Sequence, residues 1–385
     1  MVQKKGREET VIPVSSSLVG LLAFLVIVFV FIVLQLSSHH GAAFGFGYWL
    51  IPDSVTNYEL TSGLVKGQFL LSDFLGSAGV PLYYSPFFIL GIVGFIAANV
   101  FLLAIGARYY GSKAIYVPLL LYPFYLQLLV LPSKDMMVLP IYFFAMYHLT
   151  RGDWWRVLIV SVGAYFIRDG AMFVLLPLLV AAVVIEKTRI RALWIIVIAF
   201  FSCMLVFSVL QEVAGDLLVV SRNLYALQAE GPEQLRELNP VLGYLARMFF
   251  NLTNSAFRLT FIDERGLVSI GSISLYISGI SNLVCCSVAA RRVFQSEEKT
   301  AQLISVCYFL SLLIISMNPF VQGRYQLPMS IVASVILFPR EKMSSLGRLY
   351  ILIIVISLVA RAMYGYLNIP LPPHMGSYEV DLLSL

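Results

Sequence analysis

Apolar positions fall along this chain in long continuous blocks, separated by short polar interruptions; neither strict alternation nor a single helical stripe dominates. Runs of roughly 18–22 apolar residues match the length a helix needs to cross a bilayer. They predict about 11 spans, near 15–36, 84–106, 114–131, 135–150, 155–169, 171–185, 192–210, 268–290, 301–317, 325–339 and 348–365. In lipid every backbone polar group needs an internal partner, so such spans are helices or a closed barrel, and these runs are too long and continuous for barrel strands. The expected fold is all-α: a polytopic helical membrane protein, with residues 1–385 forming a single transmembrane domain.

The polar interruptions carry the orientation. With the N-terminus in the cytoplasm, the inner segments hold Lys4, Lys5 and Arg7; Arg108 and Lys113; Arg151 and Arg156; Lys187, Arg189 and Arg191; Arg291, Arg292 and Lys299; and Arg340, Lys342 and Arg348. That is sixteen of the twenty-six Lys and Arg residues, in short loops where the positive-inside rule is strongest. Two longer segments, 37–83 and 211–267, and the C-terminus then lie on the outer face. Long outer loops are where such a protein can build a site.

Composition supports this class. The chain is 59% hydrophobic and only 12% charged, about half the charged fraction of a soluble domain. The net charge of +5 is therefore a topology signal and not a nucleic-acid footprint. The four cysteines, Cys203, Cys285, Cys286 and Cys307, sit in apolar runs without framework spacing, so neither disulfide nor metal is expected. The first run follows "MVQKKGREET", is too long for a signal-peptide core and lacks a small-x-small site; it reads as a retained helix. No nucleotide-binding motif occurs, and His39, His40, His148 and His374 form no metal-binding cluster. The inner loops are too short for a nucleotide-sugar domain, so any sugar donor would be lipid-linked and used from outside.

Polar residues that look out of place gather on the outer face. In "LVLPSKDMMVLP", Pro132 ends one helix and Ser133 or Asp135 can cap the next. Lys134 then either snorkels to headgroups or faces a cavity and binds an anionic group beside a helix N-terminus. "YFIRDGAMF" breaks a stretch too long for one span, and places Arg168 and Asp169 at a tight outer turn, as a structural pair or as a functional one. "MNPFVQGRYQLPMS" presents Arg324 and Tyr325, either an interfacial belt or a planar fork suited to phosphate. In "YWLIPDSVTNYELTSGLVKGQ", Asp53 either caps a juxtamembrane helix or acts as a general base toward an acceptor hydroxyl. "YLARMFFNLTNSAFRLTF" reads as an amphipathic helix on the membrane with Arg247 and Arg258 on its polar side, a structural lid or a guide for a lipid-linked substrate.

Taken together, "D…NYELTSGLVKG", "LLLYPFYLQLLVLPSKDMMVLPIYFFAMYHL", "YFIRDG" and "NPFVQGRYQLPMSIV" resemble the multi-spanning polyprenyl-phosphate-dependent glycosyltransferases of the C-type fold. They are also similar to the bacterial O-antigen and exopolysaccharide polymerases. The resemblance covers roughly residues 45–340 through short, degenerate motifs. It implies an enzyme of the bacterial inner membrane acting at its periplasmic face on an undecaprenyl-linked sugar or oligosaccharide. By position, Asp53 matches the first-loop acid, Lys134 and Arg168 match charged positions near the lipid phosphate, and Arg324 matches the late arginine. Asp53, Arg168 and Arg324 are the candidate catalytic residues; Lys134, Asp135, Asp169, Tyr325, Arg247 and Arg258 are the candidate substrate-binding ones. Ser54 stands where the monosaccharide transferases often carry a second acid, and no soluble C-terminal domain follows; both points favour a polymerase. No cofactor, metal or nucleotide is required by this scheme, and no nucleic acid is involved. The glycan carrier and the bilayer are the expected partners, and the resemblance allows a chain-length regulator or another polysaccharide-assembly protein.

Three classes stay in play on the sequence: the polymerase or a related single-sugar transferase, a transporter or flippase, and a non-enzymatic envelope-assembly scaffold. A transporter would show internal repeats and broken helices with polar groups at the midplane, and no repeat is visible.

Overall fold

The computed structural model describes residues 105–125, 135–165, 169–188, 190–206, 239–257, 270–295, 298–317 and 323–366, apart from 107, 112 and 254. Among these residues the chain is all-helical, with no strand. The helices are α1 (Lys113–Leu121), α2 (Asp135–Leu149), α3 (Trp154–Tyr165), α4 (Asp169–Lys187), α5 (Ala192–Val206), α6 (Pro240–Thr253), α7 (Ile270–Gln295), α8 (Lys299–Ile315), α9 (Leu327–Leu337) and α10 (Met343–Tyr366). Two stretches, Ile273–Gln295 in α7 and Met343–Ala360 in α10, are long and apolar enough to cross a membrane. The expected spans at 15–36 and most of 84–106, and the loop 37–83, lie outside the described residues.

One element departs from its expected bounds for a clear reason. The run 114–131 is interrupted after α1, because Pro123 disfavours helical geometry at Tyr122. The break is satisfied locally: Phe124 N–H donates to Ser278 Oγ of α7 at 3.1 Å. The Tyr122 hydroxyl bonds with Ser334 Oγ of α9 at 2.7 Å. Proline-broken helices survive in lipid only when neighbours re-satisfy the backbone in this way.

α7, α8 and α9 form the centre of the bundle, with α2 and α4 packed against α9 and α8 respectively, and α3 packed on α2 and α4. The interior is unusually polar: Ser274, Ser278, Ser281, Asn282, Ser305, Ser311, Gln326, Ser330 and Ser334 are all buried. Small hydroxyl residues let helices approach closely and bond across the gap. The exterior is apolar: α10 exposes Ile351, Leu352, Val355 and Val359, α3 exposes Leu158, Ile159 and Val162, and α5 exposes Trp194, Ile198, Phe201 and Leu205. Exposed apolar surface on this scale is more than a free soluble monomer carries and demands cover.

The described basic loops converge on one end of this bundle. Arg340 is bound to Glu298 by both carboxylate oxygens, at 3.0 Å from Nε, and Arg292 to Glu341, which joins the α7–α8 and α9–α10 connections. The Lys187 ammonium stacks over Trp154 at 5.0 Å, and Glu186 lies beside Gly152, which joins the ends of α4 and the α2–α3 turn. Gly152 has φ +76° and closes α2 with a left-handed residue, where a side chain would be strained. Arg151, Tyr109, Thr300 and Arg340 line one common cavity, which ties the two groups together.

Candidate functional site

Helix direction places several of the sequence-predicted residues at the opposite end. Asp135 opens α2, Asp169 opens α4, and Arg324 lies in the 3-10 turn Gly323–Gln326 that leads into α9. Each of these helices finishes at the basic end. α2 has 15 residues, so Asp135 starts about 22 Å from the basic loops. Asp53, Lys134, Arg168 and Arg258 lie outside the described residues.

The turn that carries Arg324 is anchored by its last residue. The Gln326 amide is buried; its Nε2 donates to Tyr308 O at 3.2 Å, and its Oε1 accepts from Ser311 Oγ at 3.2 Å. Tyr325 is half-buried and packs against the core. Two bonds from one side chain to α8 set the position of the turn, and so of the backbone at Arg324.

Against this turn packs α6, the helix of the 211–267 segment. Its polar side carries Tyr244, Arg247 and Asn251, spaced to share one face, and that side is fully buried. Its apolar residues Leu242, Leu245, Phe249 and Phe250 are exposed. Arg247 is thus on the polar side, and that side is turned into the bundle with the apolar side outward. Tyr244 donates to Leu313 O at 2.7 Å, and Asn251 Nδ2 donates to Ser316 Oγ at 3.3 Å. Asn251 Oδ1 is buried without a partner among the described residues. A fully buried arginine in an apolar bundle is costly, and such residues mark functional sites or structural pairs.

Sequence reasoning named Arg247 but missed Tyr244, Asn251 and Gln326. The signal for the first two was available in the i, i+3, i+7 spacing with Arg247. Gln326 had no such signal, because its role depends on α8 lying alongside.

The segment 255–257 continues from α6 and lies directly on α7 at Gly279, where an added Cβ would fall 2.4 Å from Ala256 N. Ser357 Oγ of α10 donates to Ala256 O at 2.8 Å. α6 is therefore clamped between α7, α8 and the Arg324 turn, with its continuation held to α10.

Among the described residues, two cavities lie at the basic end, of about 350 and 560 Å³, sharing Tyr109, Tyr147 and Arg151. His148 and Asp153 bridge the adjoining α2–α3 turn, Nδ1 to Oδ2 at 3.0 Å. That hydrogen bond, helped by Arg156 and Arg151, holds the Asp153 carboxyl below its ordinary range. Among the described residues no group of three or more His, Cys, Asp or Glu side chains is placed to hold a metal ion. The four cysteines are free thiols.

Comparison with family models, with curated proteins and with solved structures finds no match to this chain.

Proposed function

We propose that the chain is a multi-pass membrane glycosyltransferase of about 11 spans, acting at the outer face on undecaprenyl-linked oligosaccharide as a surface-polysaccharide polymerase. The observation that carries this reading is the common end shared by the starts of α2 and α4 and the Arg324 turn, opposite the basic loops, with the buried Arg247 helix packed on that turn. Under the positive-inside rule the basic end is cytoplasmic, so the other end faces the periplasm of a bacterial inner membrane.

In the reaction, an acceptor hydroxyl attacks the anomeric carbon of the lipid-linked donor. The new glycosidic C–O bond forms as the bond to the undecaprenyl diphosphate oxygen breaks, and the diphosphate leaves with the bonding electron pair. Arg168 and Arg324, supported by Lys134, stabilise the charge growing on that leaving group, the kind of preorganised electrostatic term that dominates many catalytic sites. Asp53 takes the hydroxyl proton. Asp135, Asp169, Tyr325 and Arg258 position the glycan and its lipid phosphate, and the buried Arg247 acts through the α6 face that packs on the Arg324 turn.

The test uses the full-length protein in proteoliposomes with an undecaprenyl diphosphate-linked oligosaccharide. Formation of lipid-linked products of two or more repeat units supports the reading. Transfer of a single sugar from a polyprenyl-phosphate donor points to the monosaccharide-transferase alternative, and no transfer from either donor points to a scaffold or transporter.

A further inference from the structure

The basic end carries a feature that topology alone does not account for. Positive-inside arginines need only be present; they need not share a cavity. Here Arg108, Arg151 and Arg156 line one cavity of about 560 Å³ with Tyr109, Tyr147 and His148. Other arginines at the same end are neutralised in place, Arg340 by Glu298 and Arg292 by Glu341. Arg108 and Arg151 make no ion pair among the described residues. The carboxylate in the lining, Asp153, is engaged by His148 at 3.0 Å and stands 3.8 Å from Arg156.

Two of the three arginines are also held in place. The Arg151 guanidinium sits 4.3 Å over the Tyr147 ring, and that of Arg156 sits 5.2 Å over Trp155. Stacking restrains a guanidinium while leaving its in-plane N–H donors for an anion. Tyr109 and Tyr147 pack ring to ring at 4.8 Å and form the wall between this cavity and its neighbour.

We propose that this cavity binds the phosphate of an anionic phospholipid from the adjoining leaflet. Arginine is the side chain best matched to phosphate oxygens. The lipid source follows from what lies beside the arginines: Ile159 and Val160 line the same cavity, and Ile159 is 61% exposed on the outward face of α3 with Leu158 and Val162. An acyl chain can run along that face while its headgroup enters the cavity, and Trp155 and the two tyrosines are residues typical of that depth. The inference rests on the membrane placement of the bundle and not on the outer-face chemistry, so its failure is distinguishable from failure of the polymerase reading.

The test is native mass spectrometry of the full-length protein, purified in detergent and exposed to phosphatidylglycerol or phosphatidylcholine. The protein is expected to retain phosphatidylglycerol in preference to phosphatidylcholine. Retention is expected to fall by about fivefold for each charge removed in Arg108→Gln and Arg151→Gln. Arg348→Gln, an exposed arginine outside the cavity, is expected to leave it unchanged, and Asp153→Asn to raise it. Undiminished retention in the Arg108→Gln/Arg151→Gln double variant overturns the site. Should that variant fail to fold, Asp153→Asn decides, and unchanged retention there overturns it equally. Displacement of the lipid by millimolar inorganic phosphate overturns the lipid as the source.

Discussion

Tyr308 of α8 donates its hydroxyl to the side-chain oxygen of Asn282 in α7 at 2.9 Å, and both residues are buried. The same Asn282 oxygen accepts from Ser330 of α9, and its amide Nδ2 donates to Leu252 O of α6 at 3.4 Å. One side chain therefore joins four helices at the middle of the bundle. Asn282→Ala removes the shared acceptor of the Tyr308 and Ser330 hydroxyls, each of which keeps one backbone acceptor, and takes the side-chain donor from Leu252 O. The expected loss is about 2 kcal/mol. Thermal unfolding in detergent should show a clear drop in Tm.

Gly279 and Gly163 make an internal contrast. A Cβ at Gly279 would meet Ala256 N at 2.4 Å and Ser255 C at 2.5 Å, both backbone atoms that cannot swing away. A Cβ at Gly163 meets nothing within 4 Å. Gly279→Ala is expected to cost about 1–3 kcal/mol by forcing the 255–257 segment off α7. Gly163→Ala is expected to be neutral or to stabilise by up to about 1 kcal/mol. The same unfolding assay reads both.

This pair also shows where the sequence stops being informative. Helices α2, α3, α4, α5, α7, α8, α9 and α10 were legible from apolar runs and the loops between them, because run length and loop charge are local properties. The polar side of α6 was legible too. Its inward orientation was not, because hydrophobic periodicity identifies two faces without saying which one packs into the bundle. Nor could the contact of Gly279 with Ala256, or the anchoring of Gln326 to Tyr308, be read from residues so far apart in sequence. The Pro123 break was visible as a residue, but not the Ser278 hydroxyl that makes the break tolerable in α1.

The α2–α3 turn should respond to acid. The folded-state Asp153 carboxyl is held below its ordinary range, first by the His148 hydrogen bond and then by Arg156 and Arg151. A depressed carboxyl contributes stability that is fully present above its unfolded value, about pH 4, and is lost as pH falls through the lower folded value. Asp153→Asn is expected to flatten that part of the acid limb in a plot of Tm against pH. An unchanged acid limb would remove Asp153 from the account of this turn.

Two glutamates at the basic end separate buried from exposed pairing. Glu341 is 7% exposed and bound by Arg292, whereas Glu298 is 47% exposed in its pair with Arg340. Removing the shielded Glu341 carboxylate leaves Arg292, itself 21% exposed, without its partner and costs about 1–2 kcal/mol, while an exposed pair contributes about 1 kcal/mol or less. Glu341→Gln is therefore expected to lower Tm markedly and Glu298→Gln barely. Equal effects would contradict this ranking.

The central claim is polymerisation at an outer-face cationic site. Its most direct test is the surface-polysaccharide ladder of a deletion strain complemented with wild type, Arg168→Ala or Arg324→Ala at matched membrane levels. The account predicts long chains with wild type, and only a single attached repeat unit with either variant and in the uncomplemented deletion. Long chains persisting in the deletion strain itself would contradict it.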